Sequence, residues 1–338
     1  MTTIAVTGAA GAVGRDVIDL LAADGDLKLV AIDRAVMRPP GGVDFRLADL
    51  TDGDIDLFDG CDVVVHLAED PGRRAEPPAA LATLEPVLER VAAAGCAHLV
   101  ILSSALVYGA RAGNPVPLTE HHARRPNSGL GYARAKAAVE ERAESWADEA
   151  GVDVALVRPT TTLSERKASH VAIALRAALA RRDDTFDAPL QFLHHDDLAS
   201  AVATVVRARG RGPYNVAPDR WIEAAEFRQL LAEIELPRPA PVNTALHWLS
   251  STTGPRADTD LGPYVRDPWV VANDRLRALG WEPTYTNEEA FVVGTPSPRW
   301  RQVVERRRQE MALGAVGMTA AGAVAAAGLA ARWLSRQR

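Results

Sequence analysis

Hydrophobic positions in this chain fall into short unbroken runs separated by stretches of helical spacing. Ile4-Ala5-Val6 is ended by glycine, and Val13–Ala23 then repeats apolar residues at helical intervals, with Val17, Leu20 and Leu21 on one face. Leu27–Ile32, Phe45–Leu47, Asp62–Leu67 and His98–Leu102 are further strand-like runs. A long helical stretch, Tyr132–Ala150, leads into another run at Val152–Val157. Apolar strands alternating with helices predict an α/β fold: a doubly wound parallel sheet covered by helices on both faces.

Beyond Pro159 the pattern weakens. Ala168–Arg181 and Ala224–Glu235 have helical spacing, while Phe192-Leu193 and Tyr214-Asn215-Val216 read as short strands. Glycine and proline predict loops at Pro39-Pro40-Gly41-Gly42, Pro71-Gly72 and Pro77-Pro78. Thr252–Pro268 is polar and reads as a loop, and Val293–Pro298 reads as a linker before a basic helix.

Composition narrows the classes. With 338 residues and 47% hydrophobic positions, the chain can bury a sizeable core. A net charge of −6 argues against a general nucleic-acid binder, which needs clustered positive charge. Cys61 and Cys96 each sit in or beside an apolar run and form no CxxC pair, so both are expected as buried, reduced thiols, and no zinc site is implied. The N-terminus enters a strand directly and carries no secretory leader pattern.

Thr7-Gly8-Ala9-Ala10-Gly11-Ala12-Val13-Gly14 follows the first strand and opens the first helix. Gly8 permits a tight turn, Gly11 admits a pyrophosphate close to the backbone, and Gly14 allows close helix–strand packing. The helix start, at Ala10, Gly11, Ala12, Val13 and Gly14, then offers N–H groups and a positive dipole end to phosphates. A dinucleotide cofactor is expected there. The second strand ends at Asp33, whose carboxylate suits the adenosine ribose hydroxyls and repels a 2′-phosphate, so NAD is expected over NADP. Arg34 is the residue that could instead pair with such a phosphate. Asp49, followed by Leu50, is placed to reach the adenine amino group or to serve as an ordinary loop aspartate.

Tyr132 and Lys136 stand at i and i+4, on one helical face. A phenol has a reference pKa of about 10, and a neighbouring ammonium lowers it. Such a tyrosine can take a proton from a hydroxyl as hydride leaves its carbon, or return one to a carbonyl. Ser103-Ser104 follows the Val100–Leu102 strand, at the carboxyl end where parallel sheets bind ligands.

These segments together resemble the NAD-dependent epimerase/dehydratase family, the extended short-chain dehydrogenase/reductases. The resemblance runs over about residues 2–290. It is carried by the glycine turn, Asp49-Leu50, His66-Leu67-Ala68, Ser103-Ser104-Ala105-Leu106-Val107-Tyr108-Gly109, Tyr132 with Lys136, Arg158-Pro159, and Phe192-Leu193-His194-His195-Asp196-Asp197-Leu198-Ala199. The resemblance implies a Rossmann-type sheet and hydride transfer to a nicotinamide. It gives Tyr132 the acid/base role, with Ser104 and Lys136 as its partners. Leu67, Ala68, Ser103 and Pro159 would join the cofactor-lining set, with Lys136 also reaching the nicotinamide ribose. His194 and Asp197 are implied to be structural, and no metal is expected. Two departures stand out: Glu69-Asp70 replaces a small residue after Leu67-Ala68, and Ala80 stands where many members have asparagine.

The expected organisation is a dinucleotide-binding domain at 1–160, a substrate-binding lobe at 161–292 with 190–217 returning to the sheet, and a basic, Ala/Gly-rich helix at 299–338. Lys167, Arg176, Arg181 and Arg182 could approach substrate phosphates or form a solvated helix face. The expected substrate is a hydroxyl or keto compound, with a nucleotide sugar foremost and a steroid or lipid alcohol second. A non-catalytic NAD-binding sensor is the reading outside enzymes. Met311–Ala331 carries no charged residue and is long enough to span a bilayer, and its arginine-rich enzyme-side flank would keep the enzyme cytoplasmic. The alternatives for that tail are a helix docked on the enzyme or on a partner, and a disordered segment. A homodimer is left open.

Overall fold

In the computed structural model, residues 1–52, 56–69, 76–163, 188–234 and 261–294 are described. Seven parallel strands form the main sheet: β1 (Thr2–Thr7), β2 (Leu27–Asp33), β3 (Asp44–Leu47), β4 (Val63–His66), β5 (His98–Leu102), β6 (Asp153–Pro159) and β9 (Gly212–Val216). Their order across the sheet is β3-β2-β1-β4-β5-β6-β9. Two more strands, β7 (Thr161–Leu163) and β8 (Phe192–His194), pair in parallel as a small second sheet.

Central strands such as β4 are buried at every position, so both sheet faces need helices. On one face, α1 (Ala12–Ala22) and α4 (His195–Arg207) seal a core that includes Val17, Ile18, Leu21, Val202 and Val205. On the other, α2 (Pro77–Ala93) and α3 (Gly131–Ala150) bring Leu84, Val87, Leu88, Val139 and Trp146 into a core with Val64, Leu99 and Leu156 of the sheet. Both cysteines lie in this second core as free, buried thiols. A third cluster joins the 3-10 turn Ala105–Tyr108 to residues of α5 (Ala224–Ile234), α6 (Gly262–Arg266) and α8 (Asn287–Val293). The remaining short helix is α7 (Asp274–Arg277).

Strand order reverses direction at β1, with β2 on one side and β4 on the other, where Thr7 pairs with His66. A doubly wound sheet opens its ligand crevice at the carboxyl ends of the strands at such a switch point.

Four local expectations change. Pro77 and Pro78 begin α2 instead of a loop, because proline is tolerated where a helix amide has no intrahelical acceptor. Leu20 points outward at 38% exposed, and Ile18 takes its place in the buried stripe with Val17 and Leu21. Gly262–Arg266, within the expected loop, form a helix whose Tyr264 is fully buried, while 252–260 lie outside the described residues. Val293 closes α8 instead of opening a linker. The helix expected at Ala168–Arg181, the cations Lys167, Arg176, Arg181 and Arg182, and the span Met311–Ala331 all lie outside the described residues. Among the described residues no helix is long and apolar enough to cross a membrane.

Candidate active site

The turn between β1 and α1 has no room for a side chain at Gly8 or Gly14. Gly8 has φ +71°, and a Cβ there would stand 2.7 Å from the Ala68 amide nitrogen. A Cβ on Gly14 would collide with the Gly8 carbonyl oxygen. The Gly11 amide donates to the Gly8 carbonyl at 3.0 Å, which closes the turn. Gly11 then caps α1, leaving the first-turn amides of Ala12, Val13 and Gly14 without intrahelical acceptors. Asp33 anchors the turn from β2: its Oδ2 accepts from the Ala10 amide at 2.9 Å and its Oδ1 from the Ala35 amide at 2.8 Å. Each oxygen keeps a second lone pair for a ribose hydroxyl. Arg34 is exposed beside it.

The contact of Gly8 with Ala68 ties this turn to the segment that follows β4. The next residue, Glu69, reaches α3. Its Oε1 lies 2.5 Å from Lys136 Nζ and accepts from the Tyr132 hydroxyl at 3.3 Å. Lys136 Nζ also donates to the Leu102 carbonyl, the last residue of β5, at 2.7 Å. The ammonium stands 5.8 Å from the Tyr132 ring centre. Tyr132 and Lys136 therefore sit together at the carboxyl edge of the sheet, one residue from the strand-end stretch that packs on the glycine turn. Beneath them lies a cavity of about 90 Å³, lined in part by His66, Glu69, Ala80, Thr83, Tyr132 and Lys136.

Other expected residues cluster by strand end. Ser103 is bound through its amide to the Val157 carbonyl at 2.7 Å, and its buried hydroxyl has no partner among the described residues. Ser104 Oγ accepts from the Leu106 amide at 3.2 Å and caps the 3-10 turn. Leu67 is buried, with its amide on the Thr7 carbonyl at 3.2 Å, and Pro159 ends β6 against Val216. Asp49 Oδ1 accepts from the Thr51 amide and hydroxyl at 3.0 and 2.8 Å, which holds its carboxyl below the usual carboxylate range. Leu50 behind it is buried in the core. His194 caps α4 and stacks on Tyr285, and Asp197 accepts the Thr284 and Tyr285 amides at 2.8 and 3.0 Å. His195 pairs with Asp16 at 2.8 Å and joins α4 to α1.

One electrostatic expectation is reversed. Lys136 is expected from sequence to lower the Tyr132 phenol, yet burial and the adjacent Glu69 carboxylate push it well above its ordinary value. The ammonium is engaged by Glu69, and the phenol faces a carboxylate instead of a bare cation. His66, bonded through Nδ1 to Thr7 Oγ1 at 2.9 Å, is driven down to about 4 by burial and by Lys136. It is neutral near pH 7. Sequence reasoning marks Glu69 only as a departure from the family pattern. Its position directly after the strand-end Leu67-Ala68 stretch is the signal that it would stand in the site.

The model of the NAD dependent epimerase/dehydratase family matches residues 4–217. The chain belongs to the NAD-dependent epimerase/dehydratase family. An uncharacterized protein, y4nG, of Sinorhizobium fredii is 28% identical over 226 residues, covering 61% of this chain and 54% of that protein. The chain thus matches about half the length of this relative. The crystal structure of a UDP-glucose 4-epimerase of Thermus thermophilus in complex with NAD superposes with TM-score 0.65 at 22% identity, over 87% of this chain and 97% of that one. A UDP-galactose 4-epimerase structure gives TM-score 0.63 at 24% identity over 87% and 97% of the two chains. At these identities the likeness to the solved epimerases is one of fold.

Proposed function

We propose that this member of the NAD-dependent epimerase/dehydratase family acts on a hydroxyl or keto carbon of a nucleotide sugar, with Tyr132 as the acid/base group. The observation that carries the reading is the adjacency of two features. Gly8 packs on Ala68, and the next residue, Glu69, touches both Tyr132 and Lys136. A dinucleotide seated on the glycine turn would extend its nicotinamide end toward that pair.

The residues present fit NAD. A Cβ at Gly8 or Gly14 would fill the turn, the α1 amides face outward from the helix start, and Asp33 stands at the end of β2. Gly8, Ala10, Gly11, Ala12, Val13 and Gly14 would hold the pyrophosphate, and Asp33 the adenosine ribose. Arg34, Asp49 and Leu50 would flank the adenosine. Leu67, Ala68, Ser103, Lys136 and Pro159 would line the nicotinamide half. Bound NAD supplies the hydride acceptor. Tyr132 moves the substrate proton, and Ser104 orients the substrate oxygen beside it. The nucleotide sugar is favoured because the solved epimerases of the same fold act on UDP-sugars. The domain reading that goes with this proposal sets residues 1–160 under the cofactor and 161–292 over the substrate.

The test is NAD reduction or epimer formation across a panel of nucleotide sugars and hydroxysteroids. Turnover with a nucleotide sugar is expected, and Tyr132→Phe should lower it about 10²- to 10⁴-fold while NAD binding persists. Turnover only with steroids would replace the substrate class. One observation favours a second reading, a non-catalytic dinucleotide-binding module: Glu69 engages both reactive side chains. Tight NAD binding with no turnover on any compound would select it.

A further inference from the structure

We propose that Glu69 is a positioning residue that keeps Tyr132 in its proton-donating form by taking the Lys136 ammonium for itself. The proposal rests on the reading of Tyr132 as the proton-transfer group. It goes further by naming a third side chain that decides which protonation state that group holds before substrate arrives.

Geometry carries the argument. A single oxygen of Glu69 serves both neighbours, at 2.5 Å from Lys136 Nζ and 3.3 Å from the Tyr132 hydroxyl. No direct bond joins the phenol to the ammonium, which spends its other hydrogen bond on the Leu102 carbonyl. The phenol hydrogen points at an acceptor, an arrangement that stabilises neutral tyrosine. A phenolate in the same place would meet a carboxylate at hydrogen-bond distance, which like charges disfavour.

The surrounding groups leave Glu69 as the deciding one. The titratable side chains lining the cavity are Glu69 from the segment after β4, His66 from β4, and Tyr132 and Lys136 from α3. His66 is held neutral by burial. The lining from α2 and β5 is apolar apart from Thr83. Without Glu69, Lys136 would be the charged group left beside the phenol among the described residues of this lining, and it would favour the phenolate.

The consequence is directional. A tyrosine held as a donor is poised to protonate a carbonyl oxygen as it is reduced. Withdrawal of a hydroxyl proton would first need Tyr132 as a phenolate, the state this arrangement disfavours.

The test reads phenolate absorbance between about pH 7 and pH 11, around the ordinary tyrosine value, within milliseconds of a pH jump so that the folded chain is observed. The wild-type signal minus that of Tyr132→Phe isolates this residue. Glu69→Gln should raise the Tyr132 phenolate at a given pH at least about tenfold, a downward shift of about one pH unit. Glu69→Asp, which withdraws the carboxylate by one methylene, should shift it less in the same direction and serves where the glutamine variant folds poorly. Adding Lys136→Met to Glu69→Gln should remove the part of the shift that the freed ammonium supplies and leave the part due to the lost carboxylate. Tyr132 phenolate no higher at any pH of the range in either Glu69 variant than in the wild type overturns the proposal. So does a shift that survives in full without Lys136, because the freed ammonium is then not its source. Neither NAD nor substrate is present in this measurement. A panel without turnover therefore defeats the functional reading and leaves this inference standing, while an unmoved phenol does the converse.

Discussion

Two sites in this molecule bring together the same three groups, a carboxylate, a cation and a phenol, and they are built to opposite ends. In the first, Glu140 is fully buried and grips Arg158 with both oxygens, at 2.9 Å to Nε and 2.6 Å to Nη2. Arg158 Nη1 donates to the Tyr108 hydroxyl at 2.6 Å, and Tyr108 donates to Asn215 Oδ1 at 2.8 Å. Arg124 adds a contact to Glu140 at 3.2 Å. That network binds α3, β6, β9 and the 3-10 turn into one piece. In the second site, Glu69 is 40% exposed at its side chain and divides one oxygen between Lys136 and Tyr132. Both phenols lie above their ordinary value, Tyr108 pushed up to about 12, and burial is the first cause in each. The second cause differs in sign. Arg158 draws Tyr108 down, whereas Glu69 drives Tyr132 further up. A cation facing a phenol and a carboxylate facing a phenol set different chemistry even where burial is shared. A buried network that clamps its cation with both carboxylate oxygens holds a fold; a half-exposed carboxylate that faces a phenol sets that phenol's proton.

The contrast can be broken most severely at Glu140. Glu140→Ala strands the Arg158 guanidinium in the interior and should cost about 3–5 kcal/mol of stability by urea unfolding. Replacing both partners, as Glu140→Leu with Arg158→Met, should recover most of that loss, because no buried charge is then left alone. If the double variant is no better than the single one, the network is more than a charge pair.

A smaller effect comes from His66, buried at the end of β4. Its folded value of about 4 lies below the unfolded value of about 6.5, so the unfolded chain binds the extra proton between those limits. Stability is therefore complete above about pH 6.5 and declines by up to about 3 kcal/mol as pH falls toward 4. Unfolding midpoints across that range should show the decline, and His66→Asn should flatten it. A decline of the same size in the variant would assign it to other groups.

The smallest effect is expected at Glu69. Its contact is partly exposed, so Glu69→Gln should change stability by no more than about 1 kcal/mol. A loss comparable to that of Glu140→Ala would show that the second site is also structural, and the comparison would collapse.

Most of the fold was legible because periodicity reports burial directly. Val63–His66 and His98–Leu102 are apolar runs because both sheet faces are covered. The pairing of Tyr132 with Lys136 was legible because helical geometry puts i and i+4 on one face. Leu20 was misplaced because periodicity gives a stripe but not its centre, which the docking of α4 on α1 decides. Pro77-Pro78 was misread because the same dipeptide that marks a loop also starts a helix.

The amino-acid order alone determined the glycine turn, since no other residue type accepts that backbone so near Ala68. It also determined which side chains could move a proton. Only the folded chain decided that Glu69 would stand between Tyr132 and Lys136, and that Glu140 would close on Arg158. Such choices escape a linear reading because electrostatic effects depend on distance and burial, and residues 69 and 132 become neighbours only when β4 and α3 pack into one fold.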